Sequence, residues 1–248
     1  MTLAGVRGVL LDYGHTLMDY AAPEAELLLA FERINQRLAG ELDQAVPGAP
    51  ELLERVSRQV DLEVDRSYRR GAEEEVDIAD LYDAALRAVG LELSPPTLEW
   101  VMAEEQRAWM LGIRPSVDAA PTLRVLREHG LRLCIVSNAQ FRADTMRAQL
   151  DHLGLSGYFD ATVFSSEVGW RKPNSRIYAT ALERIGLAPG AVVFVGDRMR
   201  EDVRGPRALG IRAILTHEFR QEPPEDVETI ASIAELPALL GIRSDRPA

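Results

Sequence analysis

Four short apolar runs, "LRLCIVSN" at 131–138, "FDATVFSS" at 159–166, "GAVVFVGD" at 190–197 and "IRAILTH" at 211–217, recur through the second half of the chain. A fifth, "GVLLDYG" at 8–14, stands near its start. Each has strand length and is apolar throughout rather than in alternation, as expected of strands buried on both faces. Helical patterns precede and separate three of them: "AAPTLRVLREHG", "ADTMRAQLDHLG" and "NSRIYATALERIG", closing on Gly130, Gly154 and Gly186. Glycine just past the last periodic residue is a helix stop, because it accepts the left-handed conformation that satisfies the last carbonyls. Strand and helix alternating in this way predict an α/β fold, a parallel sheet with helices on both faces.

Residues 20–112 break the rhythm. No strand pattern occurs there, and four helix-period segments do: "PEAELLLAFERINQRLAG", "PELLERVSRQVDLEVDRSY", "VDIADLYDAALRAVG" and "PTLEWVMAEEQRAWM". Turn signals at Pro47-Gly48, Gly90 and Pro95-Pro96 separate them. The division expected is an α/β core from 1–19 and 113–248 with an all-helical insertion at 20–112. The acidic run "EEEVD" at 73–77 reads as a solvated face or loop, and the tail after Leu240 as loosely ordered.

Net charge is −11, with no long basic run to follow a phosphate backbone, so nucleic acid is not an expected partner. No apolar stretch approaches the roughly 20 residues that span a bilayer, and the start of the chain enters a strand pattern without a signal-peptide layout. The single cysteine, Cys134, lies inside an apolar run and reads as a buried, reduced residue of a cytoplasmic protein. The chain is expected to act as a monomer or homodimer.

Of 28 Lys plus Arg, 27 are arginine and one, Lys172, is lysine. The two cations differ in shape and hydration, so the exception draws attention to its site. Reactive groups of an open α/β sheet gather beyond the carboxyl ends of its strands. Asp12, Ser137, Lys172 and Asp197 all fall there, and Asp202 follows in "GDRMRED". Singly, each has an ordinary structural role: Asp and Ser cap turns and helices, acidic residues favour helix starts, and a lysine before a proline can be a surface residue. Jointly, carboxylates suited to Mg²⁺, a hydroxyl and a lysine make a phosphate site.

These residues resemble the haloacid dehalogenase-like hydrolase superfamily. Its first motif, Asp-x-Asp-x-Thr after an apolar strand, is similar to "LLDYGHTL" at Asp12 and Thr16. The second is similar to "LCIVSN" at Ser137, the third to "VGWRKPNSRIY" at Lys172, and the fourth to "VGDRMREDVRGPRALG" at Asp197 and Asp202. The resemblance implies a Rossmann-like core with a helical cap inserted after the first motif. It implies Asp12 as nucleophile of an aspartyl-phosphate, and Mg²⁺ held by Asp12, the Gly14 carbonyl and Asp197, with Asp202 a further ligand or a support. Ser137 and Lys172 would bind the phosphoryl group, with Thr16 and Asn138 on the substrate side. A small phosphorylated metabolite is the implied substrate.

Position 14 departs from the pattern. The family's residue there supplies a backbone carbonyl to the metal and a carboxylate as general acid and base. Glycine keeps the first and loses the second, and a positioned proton-transfer group is worth about 10²–10⁴-fold. A slow enzyme, one confined to good leaving groups, or a long-lived aspartyl-phosphate is expected. His15 has a suitable intrinsic pKa, but neighbouring side chains of an extended segment diverge, so it is expected to face away from Asp12. A 2-haloacid dehalogenase would carry Tyr at position 14 and lack the acidic fourth motif. A phosphonate-cleaving enzyme would need a lysine in the insertion, which has none. The alternatives are a non-hydrolytic member that binds a phosphorylated ligand or a protein partner and, ranked below it, a 2-haloacid dehalogenase.

Overall fold

The structure is a computed structural model that describes residues 5–242. It divides into two compact units, one formed by the chain up to Tyr20 and from Arg114 onward, the other by Ala21–Ile113. Most of the tail after Leu240 lies outside the described residues.

The first unit is built on strands β1 (Gly8–Leu11), β2 (Met18–Tyr20), β3 (Ile113–Pro115), β4 (Arg132–Ser137), β5 (Ala161–Phe164), β6 (Val192–Gly196), β7 (Arg212–Thr216) and β8 (Glu228–Ile230). Six form one sheet in the order β5-β4-β1-β6-β7-β8, with neighbouring strands parallel. β2 and β3 form a separate two-stranded ribbon. All five strands expected from the sequence form. β1 and β6 are buried along their whole length, which explains their unbroken apolar runs.

Helices Ala119–Glu128, Ala143–His152 and Ser175–Ile185 occupy the expected intervals. Gly130, Gly154 and Gly186 all take positive φ, at 76°, 68° and 61°. One core layer packs Ile177, Tyr178, Ala181 and Ile185 of the last helix against Leu10, Val136, Val163 and Phe194 of the strands. Because β1 lies between β4 and β6, Asp12 emerges between Ser137 and Asp197. Cys134 is buried in this layer, and burial pushes its thiol up to about 12.

The second unit is helical: Glu24–Glu41, Ala49–Leu52 continuing through a wider π-type turn Leu53–Ser57 into Arg58–Arg69, then Ile78–Ala88 and Pro95–Trp109. Its core is formed by Phe31, Ile34, Leu38, Leu52, Val56, Val60, Tyr82, Leu86 and Val101 among others. Asp77, the last residue of the acidic run, caps Ile78–Ala88 by accepting from the Ala79 and Asp80 amides. Glu105 is fully buried and accepts from Ser57 Oγ and Tyr82 Oη, both at 2.5 Å. These bonds satisfy a carboxyl that burial otherwise penalises. No described helix is long and apolar enough to cross a membrane.

Candidate active site

Asp12 extends β1 by one residue, its amide donating to the Val195 carbonyl of β6 at 2.9 Å. Lys172 reaches it from the loop after Val168. The loop is held by a two-point clamp: the Lys172 amide donates to Asn138 Oδ1 at 2.7 Å, and Asn138 Nδ2 donates to the Lys172 carbonyl at 3.2 Å. Asn138, expected on the substrate side, therefore spends its amide on positioning Lys172.

The Lys172 ammonium donates to Asp12 Oδ1 at 2.6 Å and to Asp202 Oδ1 at 2.7 Å, and its side chain is only 3% exposed. Burial works to lower the pKa of this amine, but the Asp12 and Asp202 charges outweigh it and hold the amine protonated. A compact ammonium bridges the two carboxylates in this buried space, a role that a larger planar guanidinium would not reproduce unchanged.

Asp202 sits in a π-type turn, Met199–Arg204, and packs onto Gly196. A Cβ at Gly196 would lie 2.4 Å from Asp202 Cγ, so only glycine lets the carboxylate tuck under the end of β6. Both Asp202 oxygens are taken, Oδ1 by Lys172 and Oδ2 by the Arg198 amide at 2.9 Å. The contacts of Asp202 are those of a residue that orients Lys172.

One carboxylate oxygen from each of Asp12, Asp197 and Asp202 lies within 4.8 Å of the others. Burial, then repulsion from Asp12 and Asp202, raises the pKa of Asp197; burial also raises that of Asp202. Arg220 Nε stands 2.6 Å from Asp197 Oδ2, yet neither atom makes a hydrogen bond, so this is an ion pair by distance without donor alignment. A buried, unsatisfied Oδ2 within a set of oxygen donors fits a hard divalent cation.

Ser137 is buried, its hydroxyl only 3.4 Å from the Asn138 carbonyl. Thr16 is fully buried and its Oγ1 makes no hydrogen bond. Gly14 is not forced by packing. Its φ is not left-handed, and a Cβ built there would meet only Tyr20 Cε1 at 3.4 Å. His15 does adopt positive φ, 57°. Its Nδ1 lies 3.0 Å from Asp19 Oδ1 and its ring centroid 4.7 Å from that of Tyr20. Among the described residues its side-chain partners are Asp19 and Tyr20, not Asp12. Burial and then the charge of Arg220 lower its pKa against the pull of Asp19. Sequence reasoning missed Tyr20, Arg198 and Arg220 as neighbours of the site. The first is a single aromatic beyond the first motif, the others two arginines among 27.

Comparison with known proteins gives the family and the fold. The chain is 31% identical over 147 residues (59% of it, 61% of the relative) to glyceraldehyde 3-phosphate phosphatase of Methanopyrus kandleri. It is 37% identical over 109 residues (44% and 43%) to phosphoserine phosphatase of Thermus thermophilus. The matched stretches thus span from under half to about three fifths of these relatives' lengths. Among solved structures, an HAD phosphatase of Thermococcus onnurineus superposes with TM-score 0.63 at 24% identity, covering 95% of this chain and 98% of that one. A 2-haloacid dehalogenase of Pseudomonas syringae superposes with TM-score 0.67 at 23% identity, covering 95% and 98%. At these identities the superpositions speak for the fold. Residues 6–210 match the haloacid dehalogenase-like hydrolase family, spanning β1 through the turn that carries Asp202, and the chain belongs to that family.

Proposed function

We propose that the protein is a Mg²⁺-dependent phosphatase of small phosphomonoesters or acyl phosphates that works through an aspartyl-phosphate on Asp12. The observation that carries this reading is the Lys172 ammonium held between Asp12 and Asp202. It places a fixed positive charge beside the carboxylate that would attack phosphorus, inside a set of oxygen donors suited to a hard cation. The phosphatase names of the relatives support the same chemistry.

Asp12 Oδ attacks phosphorus and the bond to the leaving oxygen breaks, transferring the phosphoryl group to Asp12. Water then attacks phosphorus, releasing phosphate and restoring the carboxylate. Lys172 neutralises the phosphoryl oxygens and Ser137 orients them, while Asp202 and Asn138 keep Lys172 in place. Asp12, Asp197 and the Gly14 carbonyl would hold Mg²⁺, which supplies charge neutralisation at the phosphoryl oxygens. The helical unit would act as a cap that selects the substrate. No carboxylate stands at position 14 to protonate the leaving oxygen or to activate water. Turnover is therefore slow for alkoxide leaving groups and fastest where no acid is needed.

A time course of p-nitrophenyl phosphate hydrolysis with Mg²⁺ tests this reading, with Asp12→Asn as the blank. Steady release that vanishes in the variant and on chelation is the expected result. A burst of one equivalent would mean that the aspartyl-phosphate outlives the assay. No release in either phase sinks the phosphatase reading and favours a protein that only binds a phosphorylated ligand.

A further inference from the structure

The turn Met199–Arg204 after β6 is stapled to the segment after β7. The Met199 amide donates to Glu222, Arg204 Nη2 donates to both oxygens of Glu225 at 2.5 Å, and Arg207 Nη2 donates to the Asp226 carbonyl at 2.8 Å. Glu218 is spent likewise, accepting from Ser116 Oγ and, at 2.9 Å, from the Ile233 amide. The carboxylates of this segment are thus turned into the scaffold, and its arginine is not.

Among the described residues Arg220 has Asp197 as its one ion-pair partner, misaligned for a hydrogen bond, and its side chain is 33% exposed. Arg198, next to Asp197, is exposed, and its guanidinium makes no hydrogen bond or ion pair among the described residues. Elsewhere arginines such as Arg33, Arg87 and Arg107 are paired with carboxylates. Arg198 follows Asp197 in the chain and Arg220 lies 2.6 Å from it, so both stand beside the carboxylate cluster, and both act electrostatically on His15 and Tyr20. Two guanidinium groups with donors left over, carried beside Asp197 in a chain of net charge −11, can meet a second anion next to a phosphate site.

We infer that Arg198 and Arg220 form an anion subsite, so that the substrate is a phosphomonoester carrying a second acidic group, a carboxylate or another phosphate. This rests on the phosphatase reading for the position of the reacting phosphoryl group, and it adds what the rest of the substrate must carry.

The test uses two non-hydrolysable isosteres, propylphosphonate and 3-phosphonopropionate, which differ by one carboxylate. Their affinities are measured by calorimetry on the full chain with Mg²⁺, for wild type, Arg198→Gln, Arg220→Gln and the double variant. The readout is the affinity ratio of the two ligands, which divides out any effect of a substitution on the phosphonate itself. A charged hydrogen bond to a carboxylate is worth about tenfold or more. Wild type should therefore prefer 3-phosphonopropionate by about tenfold or more, each single variant should weaken that preference, and the double variant should abolish it. Equal affinities in wild type overturn the subsite and leave the phosphatase reading standing, as does a preference that survives in the double variant. Failure of wild type to bind either phosphonate or orthophosphate overturns both.

Discussion

Gly14 and Gly196 answer to opposite demands. At Gly196 a Cβ would strike Asp202 at 2.4–2.5 Å, so the glycine is required for the acidic residue to reach Lys172. At Gly14 the nearest atom to a built Cβ is Tyr20 Cε1, at ordinary van der Waals distance, and the backbone is unstrained. What is missing at Gly14 is therefore chemical, and the position can accept a carboxylate. Gly14→Asp is expected to fold and to raise kcat on alkyl phosphates by about 10²–10⁴-fold, with a smaller gain on p-nitrophenyl phosphate, whose leaving group needs little acid. Parallel kcat measurements on the two substrates check this. Equal gains on both would mean that Gly14 limits something other than leaving-group protonation.

At the scale of elements, the strands that carry the site were legible because burial on both faces leaves an uninterrupted apolar run. β2, β3 and β8 were not: each is three residues long with half-buried or exposed positions, too short to display a period. The clamp on Lys172 was half legible. Asn138 was singled out, but its partner is a backbone 34 residues away, and no local pattern encodes that. The helical unit carries its own pH response. Asp61 is pushed up from 3.8 to about 6 by burial, with Asp65 adding and Arg58 opposing. Its folded pKa lies above its unfolded one, so the native state binds the extra proton between those values, and the stability it contributes is lost as pH rises. Asp61→Asn removes the titration. The variant should gain thermal stability relative to wild type as pH rises from about 4 to about 6, with the difference constant above that window. Thermal melts of both proteins across the window decide it, and a difference that does not change with pH would remove Asp61 as the cause.

At the scale of the whole chain, the three carboxylates and Lys172 all belong to the unit that holds the sheet, while Ala21–Ile113 packs around a separate core. Three buried acids facing one ammonium and one misaligned guanidinium leave that unit with electrostatic repulsion that a bound divalent cation would relieve. A ligand that binds only the native state stabilises by mass action, by about 2.7 kcal/mol at a hundredfold excess over its Kd. With two cores in one chain, that stabilisation should fall on one of them. Calorimetric melting with and without Mg²⁺ is expected to resolve two transitions, with the cation raising the one assigned to the sheet unit and leaving the helical unit in place. Asp197→Asn, which lowers the repulsion, should raise the same transition in the absence of Mg²⁺ and blunt its response to the cation. A uniform upward shift of both transitions, or none, would mean that the carboxylate cluster is not where the cation acts.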